Sequence, residues 1–204
     1  MKNFVAVSLM AFFALFAVSG QAQVKFGIQG GLDLSKMEIN TPGLNFDTKD
    51  ITGYSVGLIS EFKFGDRFLL QPGLLYAVKG TKYTFVGAET TVKPSYLEVP
   101  VNLVYQIDMK PTKLLLFAGP YFAYGIGGKY NFNGDNTSKI KYGTGSGNDL
   151  KPFDYGLNFG AGLDLSRFEL KAQYGLGLAN LSPVSSNTIK MSRVIRISLA
   201  FFIN

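Results

Sequence analysis

The sequence lacks three residue types: its 204 residues include no cysteine, no histidine and no tryptophan. Without cysteine, neither a disulfide nor a thiolate metal site can stabilise the fold, so stability must come from burial and from closed hydrogen bonding. Without histidine, the chain lacks the commonest general base and the commonest metal ligand. We therefore predict no catalytic, cofactor-binding or metal site, and we expect that the protein is not an enzyme.

Long apolar runs are also scarce, and the one that is present lies at the N-terminus. Lys2 precedes it, the run extends over Phe4–Val18, and small residues follow it up to Ala22. About 15 apolar residues are too few for a membrane-spanning helix, which needs ~20. The arrangement is typical of a Sec signal peptide. We predict that residues 1–22 are a cleaved signal peptide and that residues 23–204 form one exported domain.

Charged residues make up only 17% of the chain, below the ~25% of ordinary soluble domains. Apolar side chains recur instead at every second position, which is the period of a β-strand with two unlike faces. Eight segments of about eleven residues follow this period: 24–34, 54–64, 68–78, 97–105, 114–124, 155–165, 168–178 and 195–203. No segment shows a convincing helical period, so the sequence predicts an all-β fold.

The contents of the two faces decide which of them is buried. A soluble barrel would turn its apolar face inward, but an eight-stranded barrel has an interior only just wide enough for side chains to fill. The apolar face here carries too many Phe, Tyr and Leu side chains for that space, whereas the polar face is rich in glycine. We predict an eight-stranded antiparallel up-and-down transmembrane β-barrel with lipid on its apolar side and charged residues in its lumen.

The predicted lumen would hold ionic side chains that need partners, because an unpaired buried charge is costly. The candidates for this network are Glu61, Lys63, Glu98, Glu169, Lys171 and Arg196. Two interpretations are open at this point. The network is either a structural salt-bridge plug or a gated, low-conductance ion path.

Two features leave the strand pattern incomplete. In the fifth segment, Leu114 and Leu116 compete with Leu115 for the lipid face, so two registers are possible. Pro72 and Pro100 lie inside predicted strands and remove ladder donors. We expect β-bulges or local distortions at both prolines.

The connections between the segments alternate in length, as expected of an outer-membrane barrel with short periplasmic turns. Short turns are predicted at 65–67, 107–112 and 166–167, and long outer loops at 35–51, 80–95, 125–154 and 179–192. Aromatic residues cluster at both predicted rims and should form two girdles. The inner girdle comprises Phe62, Phe64, Phe68, Tyr105, Phe168 and Phe201, and the outer one Tyr54, Tyr76, Tyr124 and Tyr155.

Several phrases of the sequence resemble a known family. They are FGIQGGLDLS at 26–35, LLQPGLLYAVKG at 69–80, SYLEVPVNLVYQ at 95–106, FAGPYFAYGIGG at 117–128, DYGLNFGAGLDL at 154–165 and LKAQYGLGLANLS at 170–182. In this order they are similar to outer-membrane β-barrel domain proteins, often labelled porin-family or PorT-like, and to small OmpA/OmpX-type barrels. The resemblance implies insertion by the outer-membrane assembly machinery and supplies no shared catalytic motif.

Three functions remain open at this stage. The first is an integral barrel, in contact with outer-membrane lipid and lipopolysaccharide, that serves structure, surface interaction or slow passage of small solutes. The alternatives are a soluble exported barrel that binds a lipophilic ligand and an outer-membrane lipid-modifying enzyme.

Specificity is expected in the outer loops, because loops vary independently of the barrel ladder. We predict that the loop carrying Tyr130, Phe132 and Tyr142 contacts an unknown extracellular partner. The acidic and amide residues of this loop, Asp135, Asn136, Asp149 and Asp154, are interpreted as solvated rather than as a cation site. No basic stripe stands apart from the strand pattern, so nucleic-acid binding has no support, and we expect a monomer.

Overall fold

The computed structural model describes residues 24–44, 46–85, 87–132 and 136–203; the predicted signal peptide lies outside these residues. The described strands are β1 (Val24–Asn40), β2 (Asp47–Lys49), β3 (Ile51–Phe64), β4 (Phe68–Val78), β5 (Thr81–Phe85), β6 (Ala88–Met109), β7 (Thr112–Phe132), β8 (Asn136–Lys139), β9 (Phe153–Asp164), β10 (Phe168–Gly177) and β11 (Thr188–Phe202). Across these ranges, no helix is long and apolar enough to cross a membrane.

Within the described ranges, eight of the strands close into an antiparallel ring. The order around the ring is β1, β3, β4, β6, β7, β9, β10 and β11, and β11 pairs with β1 to complete it. The short strands β2, β5 and β8 extend the sheet at the end that carries the long connections. We call this the outer end, and the end with the short turns and the start of β1 the inner end. The predicted eight-stranded barrel is confirmed.

The predicted orientation of the two faces is also confirmed. On the outside, Leu32 and Leu58 are 66% and 60% exposed, and Phe26, Val56, Leu103 and Ile197 also face outward. On the inside, Glu61, Lys171 and Arg196 are buried. A soluble barrel would require the reverse, since apolar surface of this extent is stable only against lipid or a partner.

The uncertain fifth segment has one clear register. Leu115, Phe117 and Tyr121 are buried in the lumen, whereas Leu116 and Phe122 are exposed on the outer wall. Their places follow from pairing on both sides of β7, with β6 and with β9. Large apolar side chains can therefore occupy the lumen at this level, which the sequence pattern alone did not reveal.

Of the bulges or local distortions expected at Pro72 and Pro100, the structure shows a local distortion of the ladder without a bulge. Gln71 pairs with Asn102 and Leu75 pairs with Glu98, so the β4–β6 register continues unchanged past both prolines. The β4–β6 ladder loses its pairing at Gly73 and Leu74, next to Pro72 and across from Pro100. Gly73 relieves the crowding there, because a Cβ added to it would lie 3.3 Å from the Pro100 ring.

The bulges lie at the outer end of the barrel. The register shifts between Lys36 and Met37 in β1, and between Ser95 and Tyr96 in β6. The strands also continue farther outward than predicted, since much of the expected outer loops is strand. Buried apolar residues of these extensions, such as Met37 and Val92, explain the added length, because they pack inside the outer end.

The inner turns match the prediction more closely. The connection at 65–67 is as expected, and Gly65 there has a φ of 69°, a left-handed conformation that glycine adopts without strain. The turn predicted at 107–112 is shorter, because β6 and β7 extend to leave only Lys110 and Pro111 between them. Short turns at this end keep neighbouring strands in register.

Candidate functional site in the barrel lumen

The centre of the outer half of the lumen is occupied by Arg196 of β11. Its Nε and Nη2 donate hydrogen bonds to the two carboxylate oxygens of Asp33 at 2.6 and 2.9 Å, and its Nη1 donates to Oε1 of Glu98 at 2.9 Å. Such a bidentate arginine–carboxylate pair is among the stronger side-chain interactions. Arg196 is 1% exposed, so the guanidinium reaches these acceptors entirely inside the barrel.

Lys79 continues the same network toward the opposite wall. Its Nζ donates to Oε2 of Glu98 at 2.7 Å and lies 3.6 Å from Oδ2 of Asp154. The ammonium also lies 4.6 Å from the ring centre of Tyr121, a favourable cation–π distance. The Tyr121 hydroxyl donates to the same Asp154 oxygen at 3.3 Å. Each ionic group here therefore has an opposite charge beside it.

These residues form one connected group, which we call the outer cluster: Asp33, Ser55, Lys79, Glu98, Tyr121, Asp154 and Arg196. Ser55 joins it by donating to Oδ1 of Asp33 at 3.4 Å. In the described part of the chain, the group draws on β1, β3, β6, β7, β9, β11 and the residue after β4. Side chains from so many strands converge because inward positions at one level of a narrow barrel all face its axis. The hydrogen-bonded contacts of the outer cluster therefore reach across the lumen.

A second group, the inner cluster, lies nearer the inner end and comprises Glu61, Gln71, Glu169 and Lys171. Gln71 donates from Nε2 to Oε1 of Glu61 at 2.6 Å and to Glu169 at 3.0 Å. Lys171 donates to Oε1 of Gln71 at 3.2 Å and pairs with Oε2 of Glu169 at 3.2 Å. The amide therefore bridges the carboxylates of two strands that are not neighbours in the ring. Lys171 is the cation beside Glu169, and Lys25 lies 3.9 Å from Oε2 of Glu61.

Apolar side chains fill the lumen on either side of these clusters. At the outer end they form a group we call the apolar cap: Met37, Val92, Tyr96, Tyr121, Ala123, Ile140, Leu150, Ala179, Leu181, Met191 and Val194. Toward the inner end are two smaller groups, one of Leu69, Val104, Leu115 and Phe117 and the other of Ile59, Ala200 and Phe202. The lumen is thus packed in apolar and ionic layers.

The structure brings together five of the six predicted network residues, but in two separate groups. Glu98 and Arg196 lie in the outer cluster, and Glu61, Glu169 and Lys171 in the inner one. Lys63 lies apart at the inner end of β3, opposite Leu69 and only partly buried.

The predicted network did not include the outer cluster's remaining members. The strand period does place Asp33 and Lys79 on the polar, lumen-facing side, but it does not show that they join Glu98 and Arg196. Asp154 was interpreted as a solvated loop residue, and that interpretation is wrong: its side chain is fully buried at the start of β9. The chain turns inward there because Tyr121 and Lys79 supply partners for the carboxylate.

Aromatic residues meet across strands at both rims. At the inner end, Phe68 packs on Tyr105 with 5.3 Å between ring centres, and Phe168 on Phe201 with 5.1 Å. Phe62 lies nearby, opposite Leu70, and is partly buried. Rings at these levels suit a membrane boundary, where amphipathic aromatic side chains are favoured.

The outer rim also carries packed aromatic side chains, both across strands and along β9. Tyr54 packs on Tyr76 at 6.1 Å, and Tyr155 on Phe153 at 6.0 Å. Phe153 also stacks on Phe122 at 6.4 Å. Phe122 and Phe153 therefore lie in the outer aromatic row although they were not in the predicted girdle.

The three aromatic residues of the predicted contact loop have different surroundings. Phe132 is exposed and stacks on Tyr130, which is itself partly packed against the apolar cap. Tyr142 turns inward: its hydroxyl donates to the carbonyl oxygen of Gly127 at 3.0 Å, and burial raises its pKa. Of the three, Phe132 presents the most surface to the surroundings.

An ion pair outside the lumen connects the outer end of β11 with the start of β3. Arg193 donates from Nε to Oδ1 of Asp50 at 3.1 Å and from Nη2 to the other carboxylate oxygen. These hydrogen bonds from Arg193 lower the pKa of Asp50 below its ordinary value. Both side chains are partly exposed, so water screens the pair.

The comparisons with known proteins place this geometry in context. Among solved structures, the chain is similar to Neisserial surface protein A, with 13% identity over 87% of this chain and 95% of that one and a TM-score of 0.47. It is also similar to Ail, the attachment invasion locus protein of Yersinia pestis, with 15% identity over 88% and 98% and a TM-score of 0.43. A third similar structure is the outer membrane protein OprG from Pseudomonas aeruginosa, with 12% identity over 91% and 98% and a TM-score of 0.41.

The sequence itself identifies the family. No curated relative matches the chain at a significant level. The model of the outer membrane protein beta-barrel domain family matches residues 19–182, which include all ring strands except β11 and both ionic clusters except Arg196. The chain belongs to this family and is an integral outer-membrane β-barrel protein.

Proposed function

We propose that this protein is a closed, non-enzymatic barrel without an open pore. It serves as a structural component of the outer membrane and displays the outer ends of its strands to the surroundings. The observation that carries the proposal is the outer cluster. Arg196, Lys79 and Glu98 meet near the axis with almost no exposure, so a hydrated solute would have to break several charge-assisted hydrogen bonds to pass. An ion path needs water between its charges, whereas these charges contact one another directly.

The arrangement of the ionic groups also supports a structural role over catalysis. A general acid or base must reach the proton of a substrate, but Asp154 and Glu98 face other protein side chains deep inside the barrel. The absence of histidine points the same way. Display of the outer end is supported by the long outward extensions of β6 and β7, which end near the exposed Phe132.

Single-channel recording in planar bilayers tests the proposal. We expect no conductance steps from the wild type, from Glu98→Gln or from Arg193→Gln, a control that removes an arginine outside the lumen. Arg196→Gln shortens the central side chain and loosens the outer cluster, so brief low-conductance events are expected from that variant alone. Folding of each variant is checked by the heat-dependent shift of the barrel on a gel.

Regular conductance steps from the wild type that change in Glu98→Gln would contradict the closed lumen. That result would favour the gated ion path instead. Turnover of labelled lipid by the purified wild type would contradict the non-enzymatic role.

A further inference from the structure

Three lysines lie side by side on the outer wall of the barrel. Lys93 of β6 pairs directly with Lys129 of β7, and Lys129 pairs with Lys139 of β8. Directly paired residues of antiparallel strands project from the same face of the sheet, so the three ammonium groups form one row. All three residues are exposed. We call them the lysine row.

Like charges that are directly opposite each other destabilise a sheet. Among the ion pairs of the described residues, none involves Lys93, Lys129 or Lys139. The basic pair elsewhere on the outer end is arranged differently: Lys36 lies opposite Arg193, but Asp50 binds that arginine. Among the residues that the structure describes, no carboxylate pairs with the lysine row in this way, so an anion from outside the chain would relieve its repulsion.

The backbone under the row is held in place. Ile140, next to Lys139, buries its side chain in the apolar cap, and its backbone N–H donates to the carbonyl of Gly128 at 3.1 Å. Tyr142 donates to Gly127 from the same side. These contacts fix β8 against β7, so the three lysines are positioned before any ligand arrives, which reduces the entropic cost of binding.

A groove of about 720 Å³ adjoins the lysine row. All three lysines line it, and its apolar part is formed by Tyr54, Tyr76, Val78, Ile126 and Ile140. Tyr54 pairs with Val78, Val78 with Ser95, and Ser95 with Gly127, so this cross-strand row lies two residues nearer the membrane than Lys93. Two residues along a strand span roughly 7 Å, which places the positive charge just outside the outer aromatic girdle.

We propose that the lysine row and its groove bind the phosphorylated headgroup of a lipid of the outer leaflet, with an acyl chain lying along Tyr54, Tyr76 and Ile126. The charge matches a phosphate, and the groove continues into the lipid-facing wall, where Tyr76 pairs with Leu97 and Leu97 with Tyr124. A free anion would contact only the lysines, whereas a lipid would contact both the lysine row and the apolar part of the groove. This inference rests on the membrane placement of the barrel and is independent of whether the lumen conducts.

The test uses the folded barrel in non-ionic detergent and a fluorescent lipid A that carries two phosphates. We expect the triple variant Lys93→Gln, Lys129→Gln, Lys139→Gln to bind this lipid about tenfold more weakly or worse, because each surface lysine contributes on the order of a fewfold to the attraction of an anionic lipid. A second lipid, identical but without phosphates, is also tested. Its affinity for the wild type should be as low as the affinity of the phosphorylated lipid for the triple variant. Binding by the wild type should also weaken at 0.5 M salt, since exposed charges are screened there.

A matched triple variant, Lys36→Gln, Lys82→Gln, Lys190→Gln, removes the same charge from the outer end away from the groove and should bind like the wild type. If the groove variant loses its heat-dependent gel shift, two milder variants replace it. Lys129→Gln alone should bind the phosphorylated lipid about threefold more weakly than the wild type, and the triple Lys→Arg variant should bind it with unchanged affinity. Equal binding of both lipids, or unchanged binding by folded groove variants, would overturn the proposal. Displacement of the lipid by millimolar inorganic phosphate would do so as well, because it would show a site for free anions.

Discussion

Two arginines three residues apart on β11 make the same kind of bond in opposite surroundings. Arg196 holds Asp33 with two hydrogen bonds inside the lumen, and Arg193 holds Asp50 with two hydrogen bonds at the outer surface. The side chains of the inner pair are 1% and 0% exposed, and those of the outer pair 42% and 27%. The odd spacing along the strand turns the two guanidinium groups to opposite faces of the sheet.

Two ion pairs with the same geometry can therefore contribute very different amounts to the free energy of unfolding. At the surface, water solvates either partner when the bond breaks, so the pair contributes little. In the lumen, neither partner reaches bulk water, and the loss of one leaves the other as an uncompensated charge. A buried pair of this kind is therefore a constraint on which strands can close the barrel, more than a simple source of stability.

The largest effect is expected from Arg196→Met, which keeps an unbranched apolar stem but removes the guanidinium, so that Asp33 loses its cation and Glu98 loses one of its two. Removing one partner of a buried ion pair costs about 3–5 kcal/mol. We expect the free energy of unfolding in urea, followed by the heat-dependent gel shift in lipid vesicles, to fall by about that amount. Arg193→Met, the matched change at the surface, should leave the urea midpoint nearly unchanged. Equal shifts of the urea midpoint in the two variants would show that burial does not determine how much each ion pair contributes to stability.

A smaller effect is expected from Glu98→Gln. The amide oxygen can still accept from Arg196, but Lys79 then keeps only the longer contact with Asp154 as its ionic partner. Weakening one hydrogen-bonded partner of a buried group costs about 1–3 kcal/mol. The double variant Glu98→Gln, Lys79→Met should be less stable than Glu98→Gln alone, because it also leaves the buried Asp154 carboxylate without a cation. A double variant as stable as Glu98→Gln would contradict this assignment, because it would show that the carboxylate of Asp154 does not depend on Lys79.

The sequence was sufficient to predict which side chains face the lumen and which face outward. It was not sufficient to predict which lumen side chains form ion pairs with one another. A period of two assigns Asp33 and Arg196 to the lumen, and it equally assigns Arg193 to the outer face. It does not specify that Asp33 meets a residue 163 positions away, because that depends on the closure of β1 on β11 and on the shear of the whole ring.

The outer end was hardest to predict for a related reason. Asp154 is polar and lies next to a long connection, so local pattern suggests solvent, and only the converging Lys79 and Tyr121 make its burial possible. The extensions of β6 and β7 likewise depend on an apolar cap assembled from residues far apart in the chain. Local alternation does not report such non-local packing.

The smallest effect is the pH dependence of the outer pair, and its sign is set by the lowered pKa of Asp50. The hydrogen bonds and charge of Arg193 hold this pKa below the ordinary value of 3.8, so the folded state favours the ionised carboxylate. The stabilisation is therefore fully present above about pH 5, where Asp50 is ionised in both the folded and the unfolded chain. It is lost as the pH falls through the pKa of the folded state.

Urea unfolding of the wild type and Asp50→Asn between pH 3 and pH 7 measures this contribution. We expect a small, constant difference in midpoint above about pH 5 that closes below about pH 4 and shrinks in high salt, as screening of an exposed pair requires. Arg193→Met should abolish the pH-dependent part of the difference. A gap between wild type and Asp50→Asn that widens as the pH falls would contradict the assignment, because it would require Asp50 to be favoured in its protonated form by the folded barrel.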